Sequence, residues 1–101
     1  MNFINYTPHL ICLNNGTQFQ SEGIARVSVT FTDFDDNGIC NQTFGEVTGL
    51  PKPQQNTMLI VSAMVLGASS RNDLVAPATG HSSTIRNERG HIVSVPGFVG
   101  N

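Results

Sequence analysis

Residues 24–32 of the chain are Ile24-Ala25-Arg26-Val27-Ser28-Val29-Thr30-Phe31-Thr32. Apolar side chains alternate with polar ones from Ala25 to Phe31. Successive side chains of a β-strand point to opposite faces, so this period of two predicts a strand with one buried and one wet face. Asp35-Asp36-Asn37-Gly38 follows and is typical of a tight turn. We therefore expect residues 39–48 to return as the antiparallel partner, with Gly45 and Gly49 marking a bulge or an end.

Strand and helix signals also occur in the rest of the chain. Short strand-like segments occur near residues 3–6, 10–13 and 74–77, and residues 84–95 resemble a final hairpin. The most apolar stretch, residues 58–66, changes composition at Ser62, which predicts a central strand running into a short helix capped by Ser62. We expect one mainly β (α+β) domain over residues 1–101. It would be a small compact antiparallel or mixed sheet, or a partial barrel, with one short helix.

Charge is sparse and unevenly distributed. Only 12% of the 101 residues are charged, and the formal net charge is −2. Residues 1–50 carry one cation against five anions, whereas residues 51–101 carry four cations against two anions. A general nucleic-acid binder usually presents a basic excess, so broad DNA or RNA binding is disfavoured. No apolar run approaches the ~20 residues needed to span a bilayer, and we expect neither a signal peptide nor a membrane partner.

Metal and catalytic motifs are weak. Asp33-Phe34-Asp35-Asp36-Asn37-Gly38 matches the opening of a calcium loop, but Phe44 stands where a bidentate Glu is required. The three histidines lack metal-site spacing, and no nucleophile-elbow, Walker A or dinucleotide-binding motif occurs. We expect no metal, no cofactor and no catalysis. Cys12 and Cys40 have no motif spacing, so an obligatory disulfide is not expected.

The best candidate site lies in the basic second half. Arg71 precedes the strand at residues 74–77, and a glycine-centred hydroxyl cluster with Thr79 and His81 follows it. Hydroxyl groups and arginines such as Arg86 can bind phosphate oxygens. We therefore predict a nucleotide-like anion site lined by Arg71, Thr79, His81 and Arg86, with Arg26 or His9 added from a neighbouring element or subunit. An ordinary polar loop would have the same composition, so both interpretations stay open.

Several segments together resemble a family of short proteins encoded by tailed phages and prophages. The matching residues are Asn5-x-Thr7-Pro8-His9, Gly45-Glu46-Val47-x-Gly49-Leu50-Pro51-x-Pro53, Ile60-Val61-Ser62-Ala63, Leu74-Val75-Ala76-Pro77, Arg86-Asn87-x-x-Gly90-His91-Ile92-Val93 and Gly97-Phe98. The resemblance covers nearly the whole chain. It implies a phage context and a place in the host cytoplasm. Small phage proteins of this size often act against host defences, and we expect the same role here.

Two functions fit these expectations. The first is a cytoplasmic, homo-oligomeric binding protein that sequesters a small nucleotide-derived signal without catalysis. The second is a protein–protein inhibitor, which would dock a sheet edge or the apolar loop near residues 51–53 onto a host defence enzyme. The Arg-bearing second half slightly favours the first function.

Overall fold

The computed structural model describes residues 1–100. It contains ten strands and one helix within that range. The strands are β1 (Asn2–Asn5), β2 (Ile11–Cys12), β3 (Gln18–Phe19), β4 (Arg26–Phe31), β5 (Gln42–Thr48), β6 (Thr57–Ile60), β7 (Leu74–Pro77), β8 (Ile85–Arg86), β9 (Ile92–Ser94) and β10 (Phe98–Gly100); the helix α1 is Ala63–Ala68. The mainly β prediction with one short helix is therefore confirmed.

A four-stranded mixed sheet with the order β1-β6-β7-β10 forms the centre of the molecule. Strands β1, β6 and β7 are parallel, and β10 is antiparallel to β7. Three separate two-stranded hairpins, β2–β3, β4–β5 and β8–β9, surround this sheet. Within residues 1–100 none of these sheets closes into a barrel. The predicted mixed sheet is therefore confirmed, and the alternative of a partial barrel is not observed.

The central sheet is buried on both faces. Leu59 and Leu74 pack on one face with α1 and the inner part of the β4–β5 hairpin. Their chain neighbours Ile60 and Val75 pack on the other face against the β2–β3 hairpin and a cluster of three phenylalanines. Alternating burial of adjacent apolar residues explains why residues 58–61 are a continuous apolar run, as expected for a strand covered on both sides.

The helix begins where the composition changes. Ser62 is its N-cap, and the Ser62 Oγ accepts a 3.3 Å hydrogen bond from the Val65 N–H. This contact satisfies one of the backbone donors that a helix start leaves without an intrahelical partner. Val65 and Leu66 then bury the inner face of α1 against the sheet. The predicted N-cap at Ser62 is confirmed.

The β4–β5 hairpin also follows the sequence pattern, with a bulge near Gly45. Val27 pairs with Val47, but Val29 pairs with Phe44, so β5 carries one extra residue. A Cβ on Gly45 would meet the Ser28 side chain. Gly49 ends the strand with a φ of +90°, and a Cβ there would meet the Ile24 carbonyl. The predicted bulge therefore lies near Gly45 and the predicted strand end at Gly49, and at both positions a neighbouring group is too close for a side chain.

Candidate functional site

A cavity of ≈ 510 Å³ lies at the end of the central sheet. It sits beyond the carboxyl ends of the three parallel strands, the position where open α/β sheets bind ligands. The loop after β1 supplies Thr7 to Leu10, the turn after β6 supplies Ser62 and Ala63, and the segment after β7 supplies Thr79. Strands β2 and β9 close the remaining sides. The full lining is Thr7, Pro8, His9, Leu10, Ile11, Cys12, Ser62, Ala63, Pro77, Thr79, Ile92, Val93, Ser94 and Val95.

The loop after β1 is held by one buried asparagine. Asn5 is 1% exposed, and its Oδ1 accepts hydrogen bonds from the Thr7 N–H at 2.8 Å and the Thr7 hydroxyl at 2.7 Å. Its Nδ2 donates to the His9 carbonyl at 2.8 Å and to the Phe19 carbonyl at 2.9 Å. All four hydrogen-bonding positions of the amide are therefore used. This network fixes the cavity wall formed by Thr7, Pro8 and His9.

The cavity wall is mainly apolar and carries no Lys, Arg, Asp or Glu. Its polar groups are few. The His9 imidazole and the Thr79 hydroxyl make no hydrogen bond to any group within residues 1–100. The Ser62 hydroxyl accepts from Val65 but keeps its own proton for donation. An apolar concavity of roughly 300–1,000 Å³ with a small number of placed polar groups is the usual form of a small-molecule site.

A second, smaller cleft of ≈ 310 Å³ adjoins the cavity. The two share Ala63, Pro77 and Thr79, and the smaller cleft adds Gly80 and His81. The His81 Nδ1 accepts a 3.0 Å hydrogen bond from the Ser83 N–H. In the neutral ring this leaves the proton on Nε2, so His81 can donate to a ligand.

Arg86 lines neither cleft but hydrogen-bonds Thr79, which lines both. Its Nη2 donates to the Thr79 carbonyl at 3.2 Å, and its Nη1 donates to the Gly90 carbonyl at 3.0 Å. Both acceptors are neutral, so the positive charge of Arg86 is not compensated by a carboxylate in this part of the chain. The guanidinium has five N–H donors, of which two are used here, so it retains donors for an anionic group.

The structure thus brings together four of the six residues predicted for the site. His9, Thr79, His81 and Arg86 lie at the carboxyl end of the central sheet. Arg71 does not join them, because it precedes β7 whereas Thr79 follows it. The four residues of β7 separate the two ends by roughly 13 Å at ~3.3 Å per residue.

Arg71 has a different partner. Its Nε and Nη2 donate to the two carboxylate oxygens of Asp73, at 2.9 Å and 2.6 Å. This bidentate pair holds the pKa of Asp73 below and that of Arg71 above its ordinary value, chiefly through the side-chain hydrogen bonds. Arg26 is exposed at the start of β4 and lines neither cleft. We therefore interpret Arg71 as a structural residue of the loop before β7.

The weak metal and thiol signals have structural explanations. Asp35 Oδ1 accepts hydrogen bonds from the Asn37 and Ile39 N–H groups, so residues 35–38 form a hairpin turn. Within residues 1–100, no three His, Cys, Asp or Glu side chains cluster as metal ligands would. Both cysteines are free; Cys12 lines the cavity and Cys40 lies in the β4–β5 turn region.

Sequence reasoning missed part of the lining. Ile92 and Val93 were predicted only as a hairpin strand, and the loop at Thr7 and Pro8 only as a break between strands. No local pattern marks these residues as lining, because they come from segments far apart in the chain that meet only in the folded structure. No protein-family model matches the chain, and neither a curated protein nor a solved structure shows significant similarity to it. No helix in residues 1–100 is long and apolar enough to cross a membrane.

Proposed function

We propose that the protein binds a small nucleotide-derived molecule in the cavity at the end of the central sheet and sequesters it without catalysis. The observation that carries this proposal is an uncharged, mainly apolar cavity whose residue Thr79 is hydrogen-bonded through its carbonyl by Arg86. A nucleobase or nucleoside suits the cavity, since its ring surface is apolar and its edges form hydrogen bonds. Ser62, Thr79 and His9 supply donors for those edges.

Arg86 and His81 suit the anionic end of such a ligand. Arg86 hydrogen-bonds the Thr79 carbonyl, and His81 lines the smaller cleft together with Thr79. A phosphate beside Arg86 would accept charge-assisted hydrogen bonds from it while remaining in contact with solvent. A phosphate deep in the cavity would have no cation to compensate its charge, which is costly. We therefore place the base inside and the phosphate outside.

For the biological setting of this binding we adopt what the phage resemblance implies, a phage protein in the host cytoplasm. A phage protein that holds a nucleotide signal in the host cytoplasm would lower its free concentration and so counter an antiviral response. The alternative, inhibition of a host defence enzyme by protein–protein docking, does not require the cavity. The two proposals therefore differ in what the isolated protein should retain from a cell extract.

The test begins with the small-molecule fraction of phage-infected host cells. The purified protein is incubated with this fraction, washed and denatured, and the released compounds are identified by mass spectrometry. We expect a nucleotide to be enriched over a control incubated with uninfected extract. If no nucleotide is released while a host protein co-purifies from the complete extract, the inhibitor proposal replaces this one.

Arg86→Ala gives the residue-level test, with Lys52→Ala as the control that removes a cation outside both clefts. A charge-assisted hydrogen bond contributes roughly 1.5–3 kcal/mol, so loss of Arg86 should weaken binding of the identified nucleotide about ten- to a hundredfold in calorimetry. Lys52 lines neither cleft and, unlike Arg86, donates no hydrogen bond to Thr79, so its loss should leave the affinity within about twofold. Equal affinities for both variants and the wild type would refute the assignment of Arg86.

A further inference from the structure

Two hairpins of the molecule expose apolar side chains and carry opposite charge. The first is the outer part of the β4–β5 hairpin, residues 31–44, which we call the acidic arm. Its exposed apolar side chains, with their exposed fractions, are Phe31 (66%), Phe34 (72%), Ile39 (61%) and Phe44 (47%). The same fourteen residues contain Asp33, Asp35 and Asp36 and no Lys, Arg or His.

The apolar face of the acidic arm continues a face that is covered elsewhere. Val27, Val29 and Phe31 share one face of β4 because they are two residues apart, and Phe44 pairs directly with Val29. At the inner end of this face, Val27 and Val47 pack against the core. Contiguous apolar surface outside the core is typical of an interaction site.

The second hairpin is β8–β9, residues 85–94, which we call the basic hairpin. Ile85 (48%), Ile92 (43%) and Val93 (54%) are exposed on it. Arg86 and Arg89 outnumber its one acidic residue, Glu88. Among residues 1–100 the ion pair found is Arg71–Asp73, so neither the cations of the basic hairpin nor the carboxylates of the acidic arm are neutralised within the chain.

We propose that the acidic arm of one copy of this chain docks on the basic hairpin of a second copy, and that the second copy returns the same contact. Each contact places phenylalanines on exposed Ile and Val side chains and the carboxylates of the arm beside Arg89, in the exposed turn of the basic hairpin. Such a reciprocal arrangement has two-fold symmetry and closes at a dimer. Charge complementarity favours contact between an acidic arm and a basic hairpin. In a contact between two acidic arms, like charges would face each other.

The surface available is sufficient for a stable dimer. Full burial of an aromatic side chain removes about 150–250 Å² of surface, and each arm has three phenylalanines that are about half exposed or more. Doubling by symmetry and adding the covered Ile and Val side chains brings the interface to the order of 1,200–2,000 Å², the usual range for specific complexes.

The dimer has a consequence for the cavity. Ile92 and Val93 belong both to the basic hairpin and to the cavity lining. The partner's acidic arm would therefore lie beside the mouth of the cavity and reduce its exposure to solvent. This consequence rests on the proposed function, whereas the dimer itself does not.

The test is the mass of the full chain in solution, by light scattering and sedimentation over a range of concentrations. We expect a species of twice 10.8 kDa at micromolar concentration, weakened by salt because the contact includes opposite charges. Phe31→Asp should raise the dissociation constant at least a hundredfold. Met64→Asp changes an exposed apolar residue outside both hairpins and should leave the dimer intact. A monomeric wild type, or oligomers larger than a dimer, would overturn the proposal.

Charge reversal distinguishes arm-to-hairpin docking from other dimers. Asp36→Arg and Arg89→Glu should each weaken self-association about tenfold. Mixing the two variants should restore a heterodimer, because each contact in the mixed pair then joins opposite charges. If mixing restores nothing, or if neither single variant affects association, the arm-to-hairpin contact is wrong. A monomeric variant that still releases a nucleotide after exposure to the extract would show that nucleotide binding does not depend on the dimer.

Discussion

The inner and outer halves of the β4–β5 hairpin share one apolar face, yet only one half is covered. Val27 and Val47 in the inner half pack against the core around Leu59 and α1. Phe31 and Phe44 in the outer half continue the same face and are largely exposed. The comparison shows that an alternating pattern specifies which way side chains point but leaves open what lies opposite them. In this chain the inner face meets the central sheet, and the outer face is available for a second copy.

The difference in burial between the two halves can be tested by introducing the same charge into each. Val27→Asp puts a carboxylate against the apolar residues of the core. We expect it to lower the free energy of unfolding by about 3 kcal/mol. Phe31→Asp should change the stability of the monomer by less than about 0.5 kcal/mol, because its side chain is already in water. Urea denaturation of diluted protein measures both values, and similar losses would mean that the two halves do not differ.

Two asparagines allow the stability cost of losing a buried polar side chain to be compared with that of losing an exposed one. Asn5 and Asn87 both accept hydrogen bonds from backbone N–H groups, but Asn5 is buried and Asn87 lies in the exposed β8–β9 turn. Asn5→Ala leaves buried donors and acceptors unsatisfied and should cost about 2 kcal/mol or more. Asn87→Ala should cost about 1 kcal/mol at most, since water can replace its contacts. An equal cost in thermal or urea unfolding would contradict the role assigned to the Asn5 network.

The smallest expected effect concerns Asp73. Its pairing with Arg71 lowers its pKa in the folded protein, so this pair stabilises the fold at neutral pH. The contribution is fully present above the ordinary value of 3.8 and is lost as the pH falls through the lower folded value. Asp73→Asn should therefore reduce stability by about 0.5–1 kcal/mol at pH 5–7, as for partly exposed pairs.

That difference between Asp73→Asn and the wild type should shrink only below pH 3.8. Asp36→Asn in the acidic arm serves as the control, since Asp36 has no cation partner within residues 1–100. A difference that does not depend on pH across this acid range would assign the effect to something other than the charge of Asp73.

Local chemistry made much of the fold predictable. Ser62 marks the helix start, and the Asp35–Gly38 and Asn87–Gly90 turns follow from side-chain acceptors and glycines with positive φ. The parallel pairing of β1 with β6 was not predictable in the same way. Both strands were expected, but their pairing joins residues more than fifty positions apart, and no local pattern specifies which strands pair.

The candidate site was predictable only in part, for a related reason. Thr79, His81 and Arg86 are close in sequence, so a loop and a hairpin can bring them together. His9 joins them because β1 and β7 end at the same edge of one sheet. Arg71 is equally close in sequence but is separated from Thr79 by the length of β7. The cavity itself depends on three strand ends meeting, which no local pattern encodes.

Filling the cavity with a larger side chain tests whether a nucleotide-derived ligand binds there. Ala63 lines both clefts at the first turn of α1, whereas its neighbour Met64 lines neither. We expect Ala63→Phe to reduce the nucleotide released after exposure to infected-cell extract at least a hundredfold, with the fold intact by circular dichroism. Met64→Phe should release as much as the wild type. If the folded Ala63→Phe protein releases the same nucleotide in the same amount, the ligand does not occupy this cavity and the account is wrong.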